Sequence, residues 1–268
     1  MRNPLRLGGA VLLAVIAAAP AVLRAIESVQ QPQTQPAQNG SAQPVLPPAA
    51  EIMERHIKAI GGREALLSRS SVHAVGKVEM PSAGMSGTLE MFAAKPNKTL
   101  LHMSLPGIGE VREGFDGTVG WSLNPLTGPT LIQGTQLEQR KLDSDFYSVV
   151  NYDKRYESMT TVEVADFDGR PCYKVRLVRP GGGEDFQFYD VKTGLRAGMI
   201  TTRETPMGSM TATMTETDYK PFGGVLQPTR LNTKVENLQQ VMTFEKFEFD
   251  KVDPSVFALP DQIKALLK

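Results

Sequence analysis

The sequence predicts an α+β fold: a curved antiparallel β-sheet of about a dozen strands, an incomplete barrel, with helices against its concave face. Three observations lead there. Between positions 72 and 249, apolar residues mostly alternate with polar or small ones, the period of strands with one buried face. Glycine-bearing turns punctuate that region, among them Asp116-Gly117, Asp168-Gly169, Gly181-Gly182-Gly183, Thr193-Gly194 and Gly223-Gly224. Hairpins in succession form an antiparallel meander, because parallel neighbours need long crossovers. So many strands in one sheet curl rather than stay flat.

The elements follow in order. Residues 49–67 read as a helix, with Ile52, Met53, His56, Ile57 and Ile60 forming a stripe at spacings of three and four. Gly61-Gly62 breaks it, and Arg63 to Ser68 supplies a further helical turn. Strands are predicted at 72–80, 85–94, 98–105, 109–116, 118–123, 160–167, 171–179, 184–191, 195–204, 209–219, 225–236 and 240–249. The long exception is Gln136 to Val150, where Leu137, Lys141, Leu142, Asp145 and Phe146 have helical spacing without Gly or Pro. Asp261 to Lys268 adds a final short helix.

Ahead of the folded part, Arg2 and Arg6 precede the uncharged, mostly apolar run Leu7–Leu23, and small residues follow. That order matches a secretory signal peptide over residues 1–25; the alternative is an inner-membrane anchor formed by residues 7–23. Eleven of the twenty residues from Val29 to Pro48 are Gln or Pro, so residues 26–48 read as a disordered tether. The folded domain is then 49–268, with no composition shift marking a second boundary. The expected location is the periplasm or outside the cell.

Composition removes several function classes. The 268 residues carry 29 Lys+Arg and 29 Asp+Glu, which lacks the basic excess of a nucleic-acid binder. The single cysteine, Cys172, excludes an intrachain disulfide, an iron–sulfur cluster and a multi-cysteine zinc site. It is expected to be a buried, inert thiol. His56, His73 and His102 share no metal-ligand spacing and are expected to be surface or half-buried residues. No G-x-S-x-G or supported S-x-x-K motif is present, and the glycine clusters open strands rather than helices. Catalytic residues, metal ligands and cofactors are therefore all expected to be none.

Apolar lining remains. Strand-borne methionines suit irregular apolar surfaces, and two helices are too few to cover a dozen strands. The expected cavity wall comprises Met85, Leu89, Met91, Leu101, Met103, Val111, Phe115, Val119, Trp121, Met210 and Met214, with Trp121 pointing inward. The expected lid comprises Ile52, Ile57, Ile60, Leu142 and Phe146, opening at Gly61-Gly62 and Gly134.

A resemblance enters with particular runs: GIGEVREGFDGTVGW at 107–121, NPLTGP at 124–129, KPNK at 95–98, DFY at 145–147 and FYDVKTGL at 188–195. Together they resemble exported bacterial proteins of the outer-membrane lipoprotein-sorting (LolA/LolB-like) superfamily, from about Ala50 to Phe257. The resemblance implies an incomplete antiparallel barrel closed by helices, an apolar cavity for acyl chains, and a non-enzymatic carrier role. The site residues above come from periodicity, and none is transferred from the family. The expected function is an exported binding protein for a hydrophobic small molecule, lipid or lipoprotein acyl chain. Envelope membrane proteins are further expected partners, nucleic acid is not, and the chain is expected to be a monomer. Two alternatives stand beside it: an envelope protein-interaction module with a filled core, and a hydrolase.

Overall fold

A computed structural model of the chain describes residues 45–205 and 208–268. The segment read as a signal peptide and residues 26–44 of the tether lie outside the described residues.

Thirteen strands form one antiparallel sheet. They are β1 (Ser71–Met80), β2 (Met85–Ala94), β3 (Lys98–Leu105), β4 (Gly109–Phe115), β5 (Gly120–Asn124), β6 (Gly128–Ile132), β7 (Ser158–Phe167), β8 (Arg170–Val178), β9 (Glu184–Asp190), β10 (Arg196–Thr205), β11 (Gly208–Phe222), β12 (Val225–Val235) and β13 (Leu238–Phe249). The spatial order is β6-β5-β4-β3-β2-β1-β13-β12-β11-β10-β9-β8-β7. Two sequential meanders, β1–β6 and β7–β13, therefore meet at one seam, where β1 pairs with β13.

Every strand expected from periodicity is present, and β6 is an addition. Its five residues begin Gly128-Pro129, and a proline removes a ladder donor. The proline is accommodated because β6 is an edge of the sheet.

The helices are α1 (Ala49–Ala59), α2 (Arg63–Leu67), α3 (Gly134–Asp143), α4 (Tyr152–Arg155) and α5 (Asp261–Leu266). The glycine pair after α1 ends it as expected, with φ of 130° and 88°. The helix expected over 136–150 stops earlier, at Asp143. Asp145 turns the chain there instead: one carboxylate oxygen accepts from the Tyr147 N–H at 2.9 Å and the other from the Asn151 amide at 3.0 Å.

Sheet topology fixes where α3 and α4 must run. Because β6 and β7 are consecutive in sequence but form opposite edges, residues 133–157 cross from one edge to the other. The crossing lies over the concave face: Arg140 of α3 pairs with Glu113 of β4, and Tyr152 and Tyr156 pack with Val175, Leu177 and Tyr189 of β8 and β9.

Candidate functional site

The concave face is packed solid at one end and open at the other. At the closed end, Val78, Leu89, Met103 and Val111 sit with Met242 and Phe244 in one core cluster contributed by β1–β4 and β13. Beyond it lies a cavity of about 370 Å³. Its wall combines Met53 and His56 of α1, Met91, Leu101, Met199 and Met214 of the sheet, and charged residues of α3, α4 and β10.

Three of the expected wall residues, Met91, Leu101 and Met214, lie on this cavity. Leu89, Met103 and Val111 are instead in the closed core, with Met85 packed against it. Phe115 is buried, 1% exposed, away from the cavity wall, and Met210 lies opposite Arg203 beyond it. Val119 belongs to the turn between β4 and β5, where its carbonyl accepts from the Asp116 N–H.

Trp121 points the other way. It pairs with Gly114, so it shares that residue's face and not the face of Glu113. A side chain on Gly114 would meet the indole ring at 2.5 Å, so glycine opposite is what admits the ring. Trp121 is buried on the convex side of β5, and the expectation of an inward tryptophan is corrected by register alone.

The lid residues are similarly divided. Ile52 and Ile57 pack against Val175, Leu177 and Tyr189, and Ile60 is buried. Leu142 and Phe146 are half-buried and off the cavity wall; Arg140, Asp143 and Ser144 are what this segment turns toward it.

Charged residues were the feature that periodicity missed. Around Asp185 of β9, Arg203 of β10 donates at 2.8 Å and Arg179 lies at 3.8 Å. Gln139 of α3 accepts from Arg179 at 3.4 Å and donates to Asp143 at 3.1 Å, and Asp143 pairs with Arg155 at 2.6 Å. Arg140 and Glu113 complete this group at 3.2 Å. Burial raises both the Glu113 and Asp185 carboxyls, against the opposing pull of Arg140 on the first, and of Thr201 and Arg179 on the second. A second group sits nearer α1, where Glu216 of β11 is gripped by Arg196 and Tyr219. A sequence signal existed for both: period two places Arg203 on the face of Met199, and Glu216 on that of Met214.

His56 is 5% exposed, not at the surface as expected, and its Nδ1 lies 3.2 Å from the Gly194 carbonyl. Burial first, then the Arg196 charge, lowers it from 6.5 to about 4; Glu216 and the Gly194 carbonyl act oppositely. Between those two values, the unfolded chain binds a proton that the folded chain refuses. Stability is therefore expected to fall as pH drops through this window, by about 3 kcal/mol in full. Thermal melts at about pH 7 and about pH 4.5 check this: His56→Gln should lose less between them than the parent chain. The other two histidines lie on the convex face, His73 bonded to Glu90 at 2.8 Å and His102 to Glu110. Cys172 is fully buried, as expected, and burial pushes its thiol up to about 11, which disfavours the reactive thiolate. Among the described residues, no group of three His, Cys, Asp or Glu could hold a metal ion.

No protein-family model matches the sequence, and no curated protein matches it. Solved structures match the fold. A DUF1329 family protein from Desulfovibrio piger superposes with a TM-score of 0.56 at 12% identity, covering 79% of this chain and 97% of that one. A putative outer membrane lipoprotein-sorting protein domain from Vibrio parahaemolyticus gives 0.52 at 12%, covering 82% and 97%. The LolA superfamily protein NE2245 from Nitrosomonas europaea gives 0.52 at 11%, covering 80% and 99%. At these identities the likeness is one of fold: the chain has a LolA-like incomplete barrel.

Proposed function

We propose that this chain is an exported, non-enzymatic carrier or binding protein that holds a hydrophobic ligand, a lipid or the acyl chain of a lipoprotein, in the cavity beneath α1 and α3. The carrying observation is the partition of the concave face. One end is filled by its own side chains, while the other leaves about 370 Å³ whose wall includes five methionines and three leucines beside its charged residues. That volume is within the range of small-molecule sites, and at roughly 30 Å³ per water-sized group it accepts about a dozen methylene-sized groups. Each buried methylene contributes about 0.8 kcal/mol, so ten give roughly 8 kcal/mol before entropic costs. Affinity near micromolar follows at best, which suits a protein that must also release.

The LolA-like fold supports the reading, as does the signal-like N-terminus. Among the described residues, no helix is long and apolar enough to cross a membrane. Ala212, on the wall opposite Thr201 and 5% exposed, offers a direct test. Ala212→Phe is expected to fill the cavity and weaken saturable uptake of an apolar dye about tenfold, a loss of about 1.4 kcal/mol. Mass spectrometry of the organic extract of the purified chain is expected to show a bound lipid. No extracted lipid together with no saturable dye uptake would sink the carrier reading.

A further inference from the structure

Four arginines gather beside the cavity in one charged group, and among the described side chains the carboxylates paired with them are fewer. In the group centred on Asp185, Arg140 pairs with Glu113 and Arg155 with Asp143, but Arg179 and Arg203 share Asp185. Among the described side chains, four guanidinium groups thus meet three carboxylates. Arg196 is balanced separately by Glu216. Three of the four, Arg140, Arg155 and Arg203, are themselves on the cavity wall, with side chains 13%, 17% and 12% exposed. Among the described residues, the Nε atoms of Arg140 and Arg203 are buried without a hydrogen-bond partner, so only the outer nitrogens of these guanidinium groups can meet a ligand. A guanidinium fork fits a carboxylate or phosphate. The same cavity is also lined by the apolar side chains of Met53, Met91, Leu101 and Met214.

We propose that the occupant of this cavity is an anionic amphiphile, a single acyl chain ending in a carboxylate or phosphate, whose headgroup sits among Arg140, Arg155 and Arg203 while its chain lies along the methionine-rich wall. This rests on the carrier reading and names the class of lipid it takes. The headgroup brings the negative charge that the arginine group lacks. Nonionic lipids of equal chain length would gain the apolar contacts and nothing from the guanidinium groups.

The test is competition for the apolar dye Nile red on the purified chain, at mildly alkaline pH and low ionic strength, by dodecanoate, dodecyl phosphate and methyl dodecanoate. At least one anion is expected to compete about tenfold more tightly than the ester, the size of one charge-assisted hydrogen bond, and added salt should shrink the gap. The better anion identifies the headgroup. Arg203→Met, which leaves Asp185 to Arg179, should bring the anion-to-ester ratio close to one, and Arg203→Lys should keep part of it. If Arg203→Met proves unfolded, the parent ratio and the Lys variant decide. Equal competition by all three ligands, or a ratio unchanged in Arg203→Met, overturns the headgroup assignment and leaves the apolar cavity standing. A chain that takes up neither dye nor any ligand removes the carrier reading as well.

Discussion

Gly76→Ala is expected to destabilise the chain by about 3 kcal/mol or more, the upper end for forcing atoms into a packed site. A side-chain carbon at this position would lie 2.2 Å from the Thr243 carbonyl oxygen and 2.9 Å from the Phe244 Cα. Both are backbone atoms, so no rotamer change relieves the clash. The site also carries unusual weight. Gly76 follows the register shift at Val75/Gly76 in the β1–β13 ladder, and that ladder alone joins the two meanders. Moving one strand away from the other would open the sheet in its middle, beside the core formed by Val78, Met242 and Phe244. Urea denaturation of the parent and variant measures the cost. A difference below about 1 kcal/mol would mean that the two strands do not approach as described.

Glu216→Ala comes second, with an expected cost of about 3 to 5 kcal/mol and a melting temperature lower by about 10 °C. Glu216 is 2% exposed and receives the Arg196 Nε at 3.0 Å, the Nη2 at 2.6 Å and the Tyr219 hydroxyl at 2.8 Å. Removing the carboxylate leaves a largely buried guanidinium with no counter-charge, which is worse than losing a contact. The physics also dictates a rescue. Changing both partners to apolar residues, Arg196→Met with Glu216→Leu, removes two desolvation costs along with the attraction between them. Calorimetry should place the double variant well above the single one. A double variant as unstable as Glu216→Ala would show that the pair's geometry, and not an orphaned charge, sets the loss.

The two variants probe what was legible in different degrees. Strands were readable because a half-buried strand writes its burial into its own residues, every second one. Turn glycines were readable because positive φ is a local demand. Proline obscured β6, since only its place at the sheet edge makes Pro129 acceptable there. The end of α3 was hidden for a similar reason: Leu142 and Phe146 keep helical spacing, yet the Asp145 carboxylate bonds the backbone of a turn.

The cavity was harder. Its existence followed from counting strands against helices, but its position did not. Alternation assigned Leu89, Met103 and Val111 to the inner face without saying that this end closes on itself. Trp121 was displaced to the other face by register, which depends on which residue lies opposite, here Gly114. Arg140, Arg155 and Arg203 were not singled out: period two puts Arg203 on the inner face, but only the fold brings it together with the arginines of α3 and α4.

By itself, then, the sequence determined the antiparallel sheet, nearly all its strands, the glycine break after α1 and the presence of surplus apolar surface. All of these rest on interactions among residues close in the chain. Only the tertiary structure decided that β1 meets β13, that residues 133–157 bridge the sheet's two edges, and that arginines from α3, α4 and β10 gather at one cavity. Those outcomes depend on groups distant in sequence sharing one low-dielectric space, where a charge is tolerated only beside its partner.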